Sequence, residues 1–177
     1  CKRQGSVVTE IRSWAGLDLM QTVGRVVAEY EALLPSKQPR EILVDSIGLG
    51  SGVVDRLREL ELPVRGINVA EAPSMGGTYL NLRSELWFKT KGWFEDRACK
   101  LPKDDQLLAE LTGIRYSFTS SGKMKAESKD EMRKRGLASP DLADALCLTM
   151  ASDAATALSG AFSSWKGEIK RNLRGIA

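Results

Sequence analysis

Hydrophobic positions recur along this chain with two periods, and their alternation sets the order of its elements. Over residues 6–14, β-branched residues alternate roughly with polar ones, which predicts a strand. Leu19, Val23, Val26, Val27, Tyr30, Leu33 and Leu34 follow at the three- and four-residue spacing of an amphipathic helix over 17–34, stopped by Pro35 and Pro39. Residues 41–45 hold the unbroken run Ile42-Leu43-Val44 before Asp45, the composition of a parallel strand covered on both faces. Gly48, Gly50 and Gly52 then form a tight turn into a helix over 53–60, and a strand over 63–69 completes a strand–helix–strand unit.

The second half continues the alternation. A long helix over 80–98 carries Leu82, Leu86, Trp87, Trp93 and Phe94, and a shorter one spans 102–111. Strands over 114–119 and 123–127 form a hairpin around Ser120-Ser121-Gly122. A basic helical turn over 129–135 leads to a helix over 140–155, started by Ser139 as N-cap and Pro140 at the first helical position. The buried stripe of that helix is expected to be Leu142, Ala145, Leu146 and Thr149. Together these elements predict an α/β domain over 1–155 with a mixed central sheet flanked by helices and an auxiliary β-hairpin. Residues 156–177 are rich in Ser, Gly and Ala and then basic, a tail or linker.

Composition narrows the chemistry. The chain has 177 residues and no histidine, which excludes Ser-His-Asp and Cys-His catalysis and histidine-ligated zinc. Carboxylates, lysines and hydroxyls are left, a set that favours hard, oxygen-loving ions such as Mg²⁺ or Mn²⁺. Cys1, Cys99 and Cys147 are odd in number and widely spaced, neither a zinc pattern nor a disulfide framework, which fits a reducing compartment. No stretch approaches the length of a membrane span, and nothing resembles a signal peptide. The chain opens at Cys1 without an initiator Met, the expected look of a fragment of a longer polypeptide.

Asp141 and Asp144 are three apart, so both carboxylates leave nearly the same side of one helix. Asp141 alone reads equally well as a partner of the helix dipole. Asp45 alone reads equally well as a cap on the turn that follows its strand. A strand-end acid, a glycine turn and a later helix opening with two more acids is, however, how two-metal phosphoryl-transfer sites are assembled. The glycines fit neither the dinucleotide fingerprint nor the phosphate-binding loop, which leaves them to turn the backbone beside Asp45 and make room for a phosphate or a metal.

The net charge of +3 is unevenly spread, with basic clusters over 123–135 and 166–174. Lys123, Lys125, Lys129 and Arg133 are candidate contacts to a polyanion, with a solvated helix face as the plainer reading. Lys129 and Arg133 are placed to touch a scissile phosphate, Glu127 is a weaker metal candidate, and Trp87 and Trp93 read as core rather than as stacking platforms.

Three blocks carry a resemblance: Ile42-Leu43-Val44-Asp45 with its glycines, Tyr79-Leu80-Asn81-Leu82-Arg83-Ser84-Glu85-Leu86-Trp87, and Glu127 to Arg135 running into Ser139-Pro140-Asp141-Leu142-Ala143-Asp144-Ala145-Leu146. In this order, over about residues 40 to 150, they resemble the C-terminal nuclease domain of bacteriophage terminase large subunits. The resemblance implies an RNase H-like, resolvase-like fold and an endonuclease dependent on two Mg²⁺ or Mn²⁺ ions that cuts concatemeric viral DNA during packaging. It implies Asp45 as the second-strand metal ligand, Asp141 as the main helix ligand and Asp144 as a second or supporting acid. It also implies double-stranded viral DNA, the portal protein and the small terminase subunit as partners, the host cytoplasm as location, and no membrane.

The family's first metal-binding acid lies on a strand ahead of the hairpin, and nothing acidic precedes Glu10 here. The chain therefore reads as the nuclease part alone, clipped inside its first hairpin. A junction resolvase or transposase of the same fold, and a non-catalytic DNA- or portal-binding module, stay open as alternatives.

Overall fold

Gly5, at φ +57°, folds the chain back on itself at once. In the computed structural model, which describes residues 1–152, strands β1 (Lys2–Gln4) and β2 (Val7–Glu10) pair antiparallel across that turn. The strand expected over 6–14 is shorter in the structure, with Lys2↔Glu10 as its outermost pair. Trp14 lies outside the ladder, half-exposed, with the Arg25 guanidinium 5.3 Å from its ring centroid.

Helix α1 (Leu19–Glu31) begins at Asp18, whose carboxylate accepts from the Gln21 amide while Gln21 reaches back to the Asp18 amide, a complete capping box. Strand β3 (Ile42–Asp45) pairs in parallel with β4 (Val64–Ile67), and α2 (Gly50–Glu59) makes the crossover. The glycine turn is smaller than the sequence suggests. Only Gly48 takes a left-handed conformation, at φ +65°, while Gly50 and Gly52 are already helical. They are small because the helix starts hard against its surroundings. A Cβ on Gly50 would fall 1.7 Å from the Asp45 carbonyl oxygen, and one on Gly52 would fall 2.4 Å from the Leu19 side chain.

Helix α3 (Leu82–Glu95) is capped by Asn81 and α4 (Asp105–Gly113) by Asp104. The hairpin appears as expected, with β5 (Tyr116–Phe118) pairing β6 (Met124–Ala126). Ser128 and Glu131 form a second capping box at the head of α5 (Lys129–Lys134). Helix α6 (Asp141–Leu148) ends in a 3-10 turn over Thr149–Ala151 rather than running on to residue 155. The tail over 156–177, with its basic cluster at 166–174, lies outside the described residues.

The expected single mixed sheet is not seen. The described strands form three two-stranded ladders, β1–β2, β3–β4 and β5–β6. Only isolated bridges extend them, Val7 to Lys100 and Tyr79 to Met124. The reason lies at the ladder edges. No strand of the first hairpin pairs with the parallel ladder among the described residues; the hairpin is tied instead by side chains to neighbouring elements, with Arg3 donating to the Thr149 carbonyl and hydroxyl after α6 and Lys2 pairing with Glu29 of α1.

Two apolar cores result. In one, Val23, Val53 and Leu57 seal α1 and α2 against the parallel pair. In the other, Leu86, Trp87, Leu107, Leu142, Leu146 and Met150 join α3, α4 and α6 to the hairpins. The buried stripe of α6 is Leu142, Ala143, Leu146 and Cys147, not the set expected from sequence, in which Ala145 and Thr149 turn out half-buried. The stripe is rotated because α6 is held between α3 and α4, with β3 also against it.

Candidate metal and nucleic-acid site

Asp45 is the last residue of β3 and exposed. One carboxylate oxygen accepts from the Ile47 amide at 3.2 Å, the modest turn-capping role available to any strand-end Asp. The carboxyl end of the parallel pair is where ligands gather in open α/β sheets, and α6 packs against β3.

At the head of α6 the cap differs from expectation. Pro140 is the N-cap, and it offers no side-chain cap to the helix. Ser139 donates instead to Asp141 Oδ1 at 2.6 Å. The cap comes from another helix: Glu110 of α4 accepts from the Ala143 amide at 2.9 Å. Asp141 is then the first residue of α6, largely exposed, and Asp144 sits one turn on, mostly covered.

Lys129, at the start of α5, joins the two acids. Its Nζ stands 3.0 Å from Asp141 Oδ1 and 3.4 Å from Asp144 Oδ2. Asp144 Oδ1 is occupied on its other side, accepting from Trp87 Nε1 at 2.8 Å and from Arg83 Nη2 at 3.1 Å. Arg83 in turn donates to the Glu127 carbonyl at 2.6 Å, so α3 fixes both the helix acid and the approach to α5. Among the described residues, the Arg83 Nε is buried without a partner.

Protonation follows this geometry. The Ser139 hydroxyl, with Lys129, holds the Asp141 carboxyl below its usual range against the opposing effect of partial burial. Burial works against the Lys129 ammonium, but the Asp141 hydrogen bond and the charges of Asp144 and Asp141 together raise its pKa.

The other candidates are engaged elsewhere. Lys125 pairs with Glu131 at 2.7 Å and Arg133 with Asp130 at 3.0 Å, while Lys123 stands on the hairpin, half-buried. Glu127 clasps Arg135 at 2.5 Å and accepts from the Arg115 amide, so it is a bracket between hairpin and α5 rather than a metal ligand. Trp87 is core, as expected, but with its indole N–H put to use on Asp144. The structure brings together Asp141, Asp144 and Lys129. Among the described residues no three carboxylates or thiols stand close enough to form a metal cluster, so Asp45 is not joined to the α6 acids.

No protein-family model and no curated protein matches the chain. Solved structures do. The nuclease domain of the large terminase subunit gp2 of bacterial virus Sf6 superposes with a TM-score of 0.71 at 22% identity, over 85% of this chain and 80% of that one. The chain has the terminase nuclease fold. A variant of the Sf6 domain solved with manganese gives a TM-score of 0.70 at 22% identity, over 85% of this chain and 81% of that one. The large terminase nuclease of thermophilic phage G20c with bound magnesium gives 0.55 at 20% identity, over 75% of this chain and 61% of that one.

Within the terminase nuclease fold, the donor chemistry at α6 suits a hard cation. Two carboxylates converge on a single positive charge, at present the Lys129 ammonium. Sequence reasoning found these acids but missed the residues that hold them. Arg83, Trp87 and Glu110 lie far away in sequence and carry no local signal. Glu85 is missed too. It is a fully buried carboxylate that accepts from the Ser74 hydroxyl and amide and pairs with Lys89, tying the segment after β4 down onto α3. Its charge in the middle of an apolar helix face was the one available hint.

Proposed function

We propose that this chain is a divalent-metal-dependent DNA endonuclease domain of a phage terminase large subunit, cutting concatemeric viral DNA during genome packaging. One observation carries the reading: the Asp141–Lys129–Asp144 cluster at the head of α6, a helix packed against β3, in a chain that shares the fold of the terminase nuclease domains. Asp141 and Asp144 are the residues that would hold Mg²⁺ or Mn²⁺; Asp45, which stands apart from them here, is proposed as the further ligand only on the family resemblance, which also implies two ions. When bound, such ions activate a water for attack on the phosphodiester and stabilise the departing oxygen.

The chain's own groups supply the rest. Asp144, fixed by Trp87 and Arg83, keeps one oxygen turned toward Lys129 and the site. Lys129 neutralises the acids and is placed to meet an incoming phosphate. The hairpin cations Lys123 and Lys125, together with Lys129 and Arg133, are the proposed contacts to the DNA backbone. The portal protein and the small terminase subunit are proposed as further partners, and the host cytoplasm as the place of action.

The test is nicking and linearisation of supercoiled plasmid in Mn²⁺. It uses this chain and a longer polypeptide that adds the acid-bearing strand implied by the resemblance. Asp141→Ala and Asp45→Ala should each abolish cleavage by the active form. Cleavage that survives both substitutions overturns the assignment of these residues. Activity confined to four-way junctions would point to a resolvase instead.

A further inference from the structure

The first turn of α3 fastens several parts of the site at once, and Arg83 does most of it. Its backbone amide donates to the Val69 carbonyl at 2.8 Å, two residues beyond the end of β4. That strand end lies beside Asp45: Asp45 and Ile67 pair in register, and the Ser46 amide donates to the Ile67 carbonyl at 2.9 Å. The Arg83 guanidinium reaches the other half of the site. It donates to Asp144 Oδ1 at 3.1 Å and to the Glu127 carbonyl at 2.6 Å, two residues ahead of Lys129. A single residue thus links the segment leaving the Asp45 ladder, the second acid of α6 and the chain that leads into Lys129. Its neighbour secures the same frame, since the buried Ser84 hydroxyl accepts from the Ala126 amide of β6 at 3.1 Å.

The arrangement is costly for a plain structural contact. The Arg83 side chain is only 15% exposed, and covering a guanidinium and a carboxylate strips water from both charges. Among the described residues its Nε is buried with no hydrogen-bond partner, while the two Nη atoms are spent on Asp144 and Glu127. A lysine could neutralise Asp144 as a point charge, but only the planar fork holds a carboxylate and a carbonyl at a fixed separation. A cation beside a metal site acts in two opposed ways. Its charge repels the divalent ion and weakens binding. Its hydrogen bond fixes a ligand and strengthens binding, with such outer partners typically worth about 10- to 100-fold in affinity. Asp144 Oδ1 takes both Arg83 and Trp87, which leaves Oδ2 to face Lys129 and an ion in its place.

We propose that Arg83 is a positioning residue for the metal site, holding Asp144 so that Oδ2 is presented and setting the spacing of Asp144, Lys129 and the strand end beside Asp45. This rests on the nuclease reading for its metal. The contribution is geometric and outweighs the repulsion between the guanidinium and a divalent ion. Lys129 is the opposite case, because its ammonium stands between the two acids themselves.

The test pairs isothermal calorimetry of Mn²⁺ binding to the full chain with NMR hydrogen exchange of the Trp87 indole N–H in metal-free protein. Arg83→Lys keeps the charge and loses the fork, and Arg83→Gln loses both. Each should weaken Mn²⁺ binding on the order of ten-fold. Each should also speed exchange of the indole N–H on the order of ten-fold, because the oxygen it donates to is no longer held, with the Leu146 amide of the same core changed by less than about two-fold. Tighter Mn²⁺ binding by Arg83→Gln beside parent-like binding by Arg83→Lys would mark a neutralising charge and overturns the proposal. So does unchanged binding in both variants. Equal acceleration at Trp87 and Leu146 overturns it too, since it would show a residue that only holds the core together. Should Arg83→Gln fail to fold, Arg83→Lys decides by itself. A parent that takes up no Mn²⁺ counts against the nuclease reading instead, and the metal-free exchange still decides whether Arg83 holds Asp144.

Discussion

At the residue scale, the central fact is that one ammonium serves two carboxylates. Lys129 stands where a hard cation would be drawn, 3.0 Å from Asp141 and 3.4 Å from Asp144. It neutralises the pair and competes with any metal for the same oxygens. Lys129→Ala should therefore tighten Mn²⁺ binding, read by isothermal calorimetry, even if cleavage falls because a phosphate contact is lost. Equal or weaker Mn²⁺ affinity in the variant would mean that the lysine does not guard the metal position. The acids themselves were legible in the sequence, because a three-residue spacing needs only helix geometry to bring them to one side. Their supports were not. Trp87 and Arg83 donate to Asp144 from 57 and 61 residues away, and no local period announces a hydrogen bond across that distance.

At the element scale, helix existence was easier to read than helix capping. Ser139-Pro140 looks like a start signal, yet Ser139 donates to Asp141 and the cap is Glu110, on a different helix. Only tertiary packing of α4 on α6 could reveal that. Glu110→Ala leaves the Ala143 amide without its acceptor and should cost about 1–2 kcal/mol in urea unfolding, with Glu110→Gln retaining most of it. The capping box of α5 was written locally and reads correctly in hindsight as Ser128-x-x-Glu131. There the Lys125 ammonium, with the Ser128 amide and hydroxyl, pulls the Glu131 carboxyl down to about 2. A carboxylate depressed on folding adds stability above its unfolded pKa and loses it as pH falls through the folded one. The contribution should thus be full near neutrality and fade between the ordinary glutamate range and about pH 2, with exposure of the pair keeping it small. The side-chain carbon shift of Glu131, followed by NMR, should titrate near the lower end. A midpoint at the ordinary glutamate value would show that the box is open in solution.

At the scale of the whole molecule, the element order was legible and the sheet was not. A period of two marks a strand but not its neighbour, so 41–45 and 63–69 could be paired by the crossover rule while the first hairpin could not be placed. What stands between the ladders is a seam of side chains. Arg65 of β4 donates to the Ala151 carbonyl at 2.6 Å and to Glu41 at 3.1 Å, Ser152 also donates to Glu41, and Arg3 grips Thr149. The seam joins the two cores, and the candidate site straddles it, with Asp45 on one core and the α6 acids on the other. Polar fastening of this kind is easier to undo than apolar packing. Arg65→Ala should cost about 1–2 kcal/mol and, more tellingly, uncouple the cores. Cys147 is a built-in reporter for the α6 core. It is buried, and burial pushes its thiol up to about 12, so it should react only when that core opens. With Cys1 and Cys99 replaced by serine, Cys147 labelling and far-ultraviolet circular dichroism should give the same urea midpoint in the parent. In Arg65→Ala the two midpoints should separate. Coincident midpoints in both proteins would show that packing of α6 on β3, not the polar seam, couples the two cores that carry the site.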